Sequence, residues 1–298
     1  IGAEPPEPGA DSPRPLVATL PQAGGARVQL WGRYDRFEAD SPFTVHVRVE
    51  GMSVPAPGTT TGRLAKLLSD LRRRFRPSGG HVDAALTVRR HAGGDVAYEG
   101  HADLHDLTVV YDAYPYQLTG LGGRLEVRPG VLKTAGEGLL GHHGRGTIRI
   151  AGRLPVQPGA VFDLHLQARE VALDPELKAA LPEKYRGFWD SLRPRGRGGA
   201  RMHFFRQVPG GPQKMDLTLE LAGHASVSYR RFPYRVENLI GPVRVQGRTV
   251  RLEGLRGTRG PLRCRLNGVL HDVGTDRTAV NLTVTARPLP MDQALLDA

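Results

Sequence analysis

The chain has 298 residues, 39% hydrophobic and 24% charged, an ordinary composition for a folded protein long enough to bury a large core. The formal net charge is +11, Gly 38 and Pro 24 suit many strands joined by turns, and a single cysteine excludes an internal disulfide. No run approaches the roughly 18 apolar residues of a membrane-spanning helix, and no charged-then-apolar signal segment opens the sequence, so any anchor is expected outside this stretch.

Residues 1–15, rich in proline, read as a linker or disordered lead-in. Short strands are predicted at 17–20 and 28–31, and a clearer one at 43–49. There Phe43, Val45, Val47 and Val49 alternate with Thr44, His46 and Arg48, which puts the apolar set on one face. The period changes at 63–75, where Leu64, Leu67, Leu68, Leu71 and Phe75 follow one helical stripe that Pro77 and Gly79-Gly80 stop. The tail of this amphipathic helix carries Arg72, Arg73, Arg74 and Arg76. Further strands are predicted at 82–88, 95–98, 106–111, 117–121, 124–128, 131–135, 147–150 and 161–168. A second helical patch spans 174–192: Asp174 is its N-cap, Pro175 its first residue, and Pro182 interrupts or restarts it. It holds Tyr185, Phe188 and Trp189, and strands at 200–205, 215–221 and 225–229 follow. Short strands with one apolar face, separated by Gly or Pro, indicate an antiparallel meander rather than a parallel sheet.

The block from Pro115 to Leu177 occurs twice. Pro115-Tyr116 returns 118 positions later as Pro233-Tyr234, and the alternating Leu125 and Val127 return as Val243 and Val245. The offset then slips to 116, pairing Gly138, Gly144, Gly152 and Leu154 with Gly254, Gly260, Gly268 and Leu270. It recovers to 118 for Phe162, Leu164 and Leu166 against Val280, Leu282 and Val284. Phe43, Val45 and Val47 extend the match upstream as a partial third copy. A fixed period with one compensated slip marks a repeat array. Its expected units are 16–114, 115–232 with the helical insert, and 233–298, truncated within its helix, so the chain reads as a window on a longer array. A two-residue slip preserves face parity, so a kink or bulge is expected between Leu132 and Gly138, with Ile148 and Leu266 on one face.

Little in the sequence points to catalysis. Gly136-Glu137-Gly138-Leu139-Leu140-Gly141 fits the dinucleotide fingerprint by letter, but a strand and not a helix is predicted after it, and the glycines read as turns or bulges. His101 and His105 share a strand face at about 13 Å, too far for one ion, so no metal ligands are assigned. No nucleophile elbow, zinc-peptidase helix or Walker loop is present, and no catalytic residue or cofactor is expected. Cys264 falls on the apolar parity of its strand as an inert buried thiol. The arginines at 72–76 recur as Arg193, Arg195 and Arg197. They read either as cations complementing a helix C-terminus or as contacts to anionic headgroups at a membrane surface. Aromatics do not interleave with them, which argues against a nucleic-acid platform.

The Pro-Tyr start, the steps Leu121-Gly122-Gly123 and Leu239-Ile240-Gly241, the alternating strand and the glycine-punctuated turn resemble the AsmA-like superfamily of envelope proteins, the AsmA, TamB and YhdP type. Leu181-Pro182 through Leu192-Arg193-Pro194 looks like the helical insert of its large members. The resemblance covers roughly residues 40–298 and carries no catalytic signature. It implies an all-β fold with minor helices, a strongly curved antiparallel sheet forming an elongated apolar groove. It further implies a role in holding or moving phospholipid between the membranes of a diderm envelope, in the periplasm.

The residue pattern leads independently to a compatible place. A sheet whose every strand has one apolar face must cover that face, and the few predicted helices cannot do it, which leaves self-closure or an apolar guest. The expected lining of such a groove is Phe43, Val45 and Val47 in the first unit. In the second it is Leu125, Val127, Ile148, Ile150, Phe162, Leu164 and Leu166. In the third it is Val243, Val245, Leu266, Val280, Leu282 and Val284. Expected partners are phospholipid or another acyl-chain lipid, membrane surfaces and other repeats of the same parent chain. The alternatives are a non-catalytic repetitive β scaffold or adhesive envelope protein and, further off, a nucleic-acid binder.

Overall fold

A computed structural model describes residues 14–23, 26–34, 41–54, 69, 72–91, 94–112, 114–154, 159–181, 183–230, 232–273, 275 and 277–288. In chain order the strands are β1 (Arg14–Ala23), β2 (Ala26–Tyr34), β3 (Phe43–Ser53), β4 (His81–Arg90), β5 (Val96–Tyr111), β6 (Tyr114–Arg128), β7 (Val131–Thr134), β8 (Leu139–His143) and β9 (Gly146–Leu154). They continue as β10 (Phe162–Ala172), β11 (Arg195–Arg206), β12 (Lys214–Ala222), β13 (Ala225–Tyr229), β14 (Phe232–Gln246), β15 (Thr249–Arg259), β16 (Leu262–His271) and β17 (Ala279–Arg287). Sixteen of them form one large curved antiparallel sheet, which β13 extends through its pairs with β11 and β14. Successive strands pair from β1–β2 to β16–β17 except at two places: β7 and β8 share the partners β6 and β9, and β12 and β13 share the partners β11 and β14, so the sheet is a meander without crossovers.

The helices are short: α1 at residues 72–75, α2 (Pro175–Ala180) and α3 (Glu183–Leu192). Asp174 accepts a 2.9 Å hydrogen bond from the Leu177 amide through Oδ1, with Pro175 in the first turn, which starts α2 where the sequence places an N-cap. Both α1 and α3 end on an arginine in the left-handed region, Arg76 (φ +34°) and Arg193 (φ +43°), each followed by proline. Paired strands run antiparallel, and β7 and β8 run in the same direction because both pair with β6 and with β9, so the connections carrying α1 (after β3) and α2–α3 (after β10) leave the sheet at the same edge. Residues 63–68 of the expected first helix lie outside the described residues.

Several strands expected as separate pieces are single long ones. The spans 96–98 and 106–111 belong to β5, and 117–121 and 124–128 to β6; Gly100 keeps the regular register, and the extra residues are taken up as bulges where Asp106 and Gly120 are left-handed rather than as turns. Register shifts interrupt the ladders at Val49/Met52, Leu104/Leu107, Ala168/Val171 and Leu252/Leu255. Since a bulged strand bends, a row of bulges across neighbouring strands folds the sheet along a line. Left-handed backbone recurs at Gly51 and Glu170, at Gly120 and Asn238, and at Gly152 and Gly268. At the two-residue slip, the chain breaks between β7 and β8, whereas the corresponding β15 runs through with a bulge at Gly254. β1 begins at Arg14, inside the expected lead-in, whose residues 1–13 lie outside the described residues. Positions 114/115 and 232/233 fall at the starts of β6 and β14, inside the continuous sheet.

Candidate functional site: an apolar cavity within the bent sheet

Alternation decides which side chains face inward. On β4, Val82, Ala84 and Leu86 point into a cavity while His81 and Asp83 take the opposite face; on β5, Ala102 and Leu104 point inward and His101, Asp103 and His105 outward. The outer face is laced with ion pairs, among them Arg124 to Asp103 through two bonds of 2.6 and 2.8 Å. The Arg124 guanidinium holds the Asp103 carboxyl below the ordinary carboxylate value.

The inner face surrounds a cavity of about 3240 Å³, several times the roughly 300–1,000 Å³ of a small-molecule site. Of the residues expected to line a groove, Val47, Leu125, Val127, Ile148, Ile150, Leu164 and Leu166 are on it, together with Val243, Val245, Leu266, Val280, Leu282 and Val284. Ile148 and Leu266 share this face. Phe43, Val45 and Phe162 are not part of the lining. Phe162 is fully buried at the start of β10, packed against Phe204 under the Arg206 guanidinium, and Phe43 lies under Arg90. Parity assigns these rings to the right face, but a strand end puts them in a local cluster beside the cavity. Cys264 lines the cavity as a buried thiol, its pKa pushed up by burial.

The sheet is bent so far that the two ends of one strand approach each other. Tyr185, near the start of α3, donates a 2.9 Å hydrogen bond to the Gly247 carbonyl just beyond β14, while Ser191, near its end, accepts a 2.7 Å bond from the Arg230 amide just before β14. Fifteen extended residues would span about 50 Å, whereas the six residues from Tyr185 to Ser191 advance about 9 Å along a helix. β14 is therefore folded back on itself, and α3 crosses from one of its ends to the other. Phe188 completes the crossing by packing on the cluster of Val250, Leu270 and Val273.

A similar bridge closes the other part of the sheet. Phe75 of α1 stacks on Tyr111 beside the β5–β6 turn, with ring centroids 5.2 Å apart, and also packs on Leu132 and Leu154 near the far ends of their strands. α2 seats Ala180 and Leu177 against Leu107, Val109, Tyr116 and Leu118. Between these packed clusters the lining is open: most lining side chains of β3, β4 and β10 are only partly buried, and on β17 Val280 and Val284 are 56% and 58% exposed.

Two phenols lie in the wall. Burial pushes Tyr114 up to about 12 and Tyr116 higher still, the latter aided by the Asp174 carboxylate. The Tyr116 hydroxyl is buried and has no hydrogen-bond partner among the described residues; its ring stacks on His143 at 3.9 Å. The basic clusters sit at the same sheet edge as the helices. Arg72 reaches the cavity, Arg76 pairs with Asp112 at 3.2 Å, Arg197 lies 3.8 Å from Glu170, and Arg193 and Arg195 are exposed. Arg72, Arg73 and Arg74 each have partners within the chain. Sequence reasoning missed Tyr116 and the bridging Tyr185. The recurrence of Pro115-Tyr116 as Pro233-Tyr234 was the available signal for the first, and nothing local marks the second.

Comparison with protein-family models, curated proteins and solved structures found no match to this chain. Among the described residues, no helix is long and apolar enough to cross a membrane.

Proposed function

We propose that this chain is a lipid-binding segment of a cell-envelope protein of the AsmA-like type, its cavity an apolar groove that holds the acyl chains of phospholipid between membranes. The observation that carries this reading is the cavity of about 3240 Å³, lined by successive strands of one bent sheet and bridged by helices rather than filled by side chains. Apolar surface on this scale is stabilised by an apolar guest. An acyl chain of about sixteen carbons supplies roughly 13 kcal/mol of gross transfer free energy at ~0.8 kcal/mol per CH₂, before ordering costs. The repeat pattern and the left-handed bulges at matching offsets fit a groove extended by successive units. Arg72 at the cavity and the exposed Arg193 and Arg195 at the same edge suit anionic headgroups outside the apolar track.

Vesicle transfer of a fluorescent phospholipid tests the proposal. The chain should accelerate exchange between donor and acceptor vesicles, and Leu166→Asp should abolish the acceleration while the far-ultraviolet spectrum stays unchanged. An unaccelerated exchange with the parent chain would count against lipid carriage.

A further inference from the structure

The outer face carries a cluster that the groove does not use. His81 and Asp83 stand two residues apart on β4, and His105 is the direct cross-strand partner of His81 on β5. One ligand atom from each of the three lies within 4.8 Å of the others. The imidazole rings of His81 and His105 stack with centroids 4.6 Å apart and planes 13° from parallel, so their nitrogens can turn toward a common point. His105 Nε2 lies 3.1 Å from Asp83 Oδ2. That separation is close to the roughly 3.3 Å between two ligand atoms held tetrahedrally at about 2.05 Å from a zinc-sized ion.

The donors are held in place from outside the trio. The Asp83 carboxylate is fixed by its other oxygen, Oδ1, which accepts a 2.7 Å hydrogen bond from the Gly51 amide. Gly51 lies in the β3 bulge with φ +68°, so the bulge aims a backbone donor at the carboxylate and leaves Oδ2 turned toward His105. This is how an outer shell orients a metal-binding carboxylate. Meanwhile His105 Nε2 is buried and, despite its 3.1 Å approach to Asp83, makes no hydrogen bond of acceptable geometry among the described residues. A buried ring nitrogen thus stands beside the oxygen of a carboxylate whose other oxygen is fixed by the backbone, an arrangement in which both can face one cation. The neighbouring Asp103, cross-strand to Asp83, is held in two bonds by Arg124, which confines the ligand set to three.

A similar trio, Asp163, His165 and His203, lies on β10 and β11. There His203 Nε2 already bonds Asp163 Oδ1 at 2.8 Å, and no backbone donor to that carboxylate is found among the described residues.

From these placements we propose that His81, Asp83 and His105 form a binding site for a divalent transition-metal ion of the zinc class, with a position left for solvent or a fourth ligand. Two imidazoles and one carboxylate match the borderline softness of such an ion, whereas calcium and magnesium take oxygen shells. Bound there, the ion clamps β4 to β5 close to where the connection bearing α1 enters β4. The site is independent of the lipid reading.

The test uses the tag-free chain, stripped with chelator and titrated with Co²⁺ as a spectroscopic stand-in, then displaced with Zn²⁺. One equivalent should give the visible absorption of a four-coordinate ion. His81→Ala, His105→Ala and Asp83→Asn should each weaken binding by about tenfold or more, while His203→Ala leaves it unchanged. Circular dichroism in chelator guards against a misfolded variant, and His105→Gln provides a second, more conservative probe of the same ligand. The proposal is overturned if the parent chain takes up no Co²⁺ in the millimolar range. It is equally overturned if folded His105→Ala and His105→Gln bind as the parent does, or if His203→Ala alone removes binding.

Discussion

Replacing Leu166 with aspartate separates an open groove from a packed core. Leu166 is partly buried at the middle of β10, between Ile150 of β9 and Met202 of β11, and lines the cavity. A fully buried leucine contributes about 1.5–3 kcal/mol by transfer, so a partly buried one should forfeit about half of that. Strand preference adds up to about 1 kcal/mol against aspartate. Water entering the cavity can hydrate the carboxylate, and the total should stay near 2–3 kcal/mol. Leu239 offers the contrast: it is 1% exposed, packed with Ala225 and Leu255. Leu239→Asp loses about 3–5 kcal/mol in burial and cavity terms and leaves a carboxylate without partners, which together rival the roughly 5–15 kcal/mol stability of a domain. Urea denaturation followed by circular dichroism should therefore show a moderately lowered midpoint for Leu166→Asp and no cooperative transition for Leu239→Asp. Equal collapse of both would refute the open groove, because it would mean that Leu166 sits in packed core.

Gly152→Ala should destabilise by about 1–3 kcal/mol, since a Cβ at φ +120° would meet the Asp163 carbonyl oxygen; Gly136→Ala, with open space around it, should cost about 1 kcal/mol, and urea midpoints compare the two. Tyr116→Phe removes a buried hydroxyl without a partner among the described residues and should leave the melting temperature unchanged or raised, while lipid retention falls if a headgroup or ester uses that hydroxyl. Tyr185→Phe should loosen the α3 bridge by about 0.5–1.5 kcal/mol, seen as faster amide exchange across Glu183–Leu192 with little change elsewhere. Asp103 titrates below the ordinary carboxylate value because of Arg124, so its contribution is present above the unfolded pKa and is lost as pH falls through the folded one. Arg124→Ala should move its carboxyl resonance midpoint upward in an NMR titration.

Face parity was the legible part of this fold, because it depends only on the two-residue period of a strand. Leu125, Val127, Leu164 and Leu166 all face the cavity as their alternation requires. The N-cap at Asp174 was equally local and equally readable. Continuity of strands was harder: Gly120 and Gly123 look like a turn in sequence, yet β6 continues through them with a bulge at Gly120, because pairing with the neighbouring strands outweighs the local glycine preference. The fate of Phe162 depended on Phe204 and Arg206 from the next strand, beyond a helical insert. The His81, Asp83 and His105 trio was invisible for the same reason. Reading one strand at a time finds His101 and His105 too far apart, while the third dimension supplies His81 from the adjacent strand. The bridge from Tyr185 to Gly247 joins residues 62 apart, and no periodicity encodes it.

Native mass spectrometry of the purified chain, sprayed from a volatile buffer without detergent exchange, measures the central claim most directly. The groove account predicts adducts whose released masses are those of phospholipids or other acyl lipids, and it predicts that Leu166→Asp loses them while remaining folded. A bare parent chain that stays bare after incubation with phospholipid vesicles, and melts no higher in their presence, would contradict it.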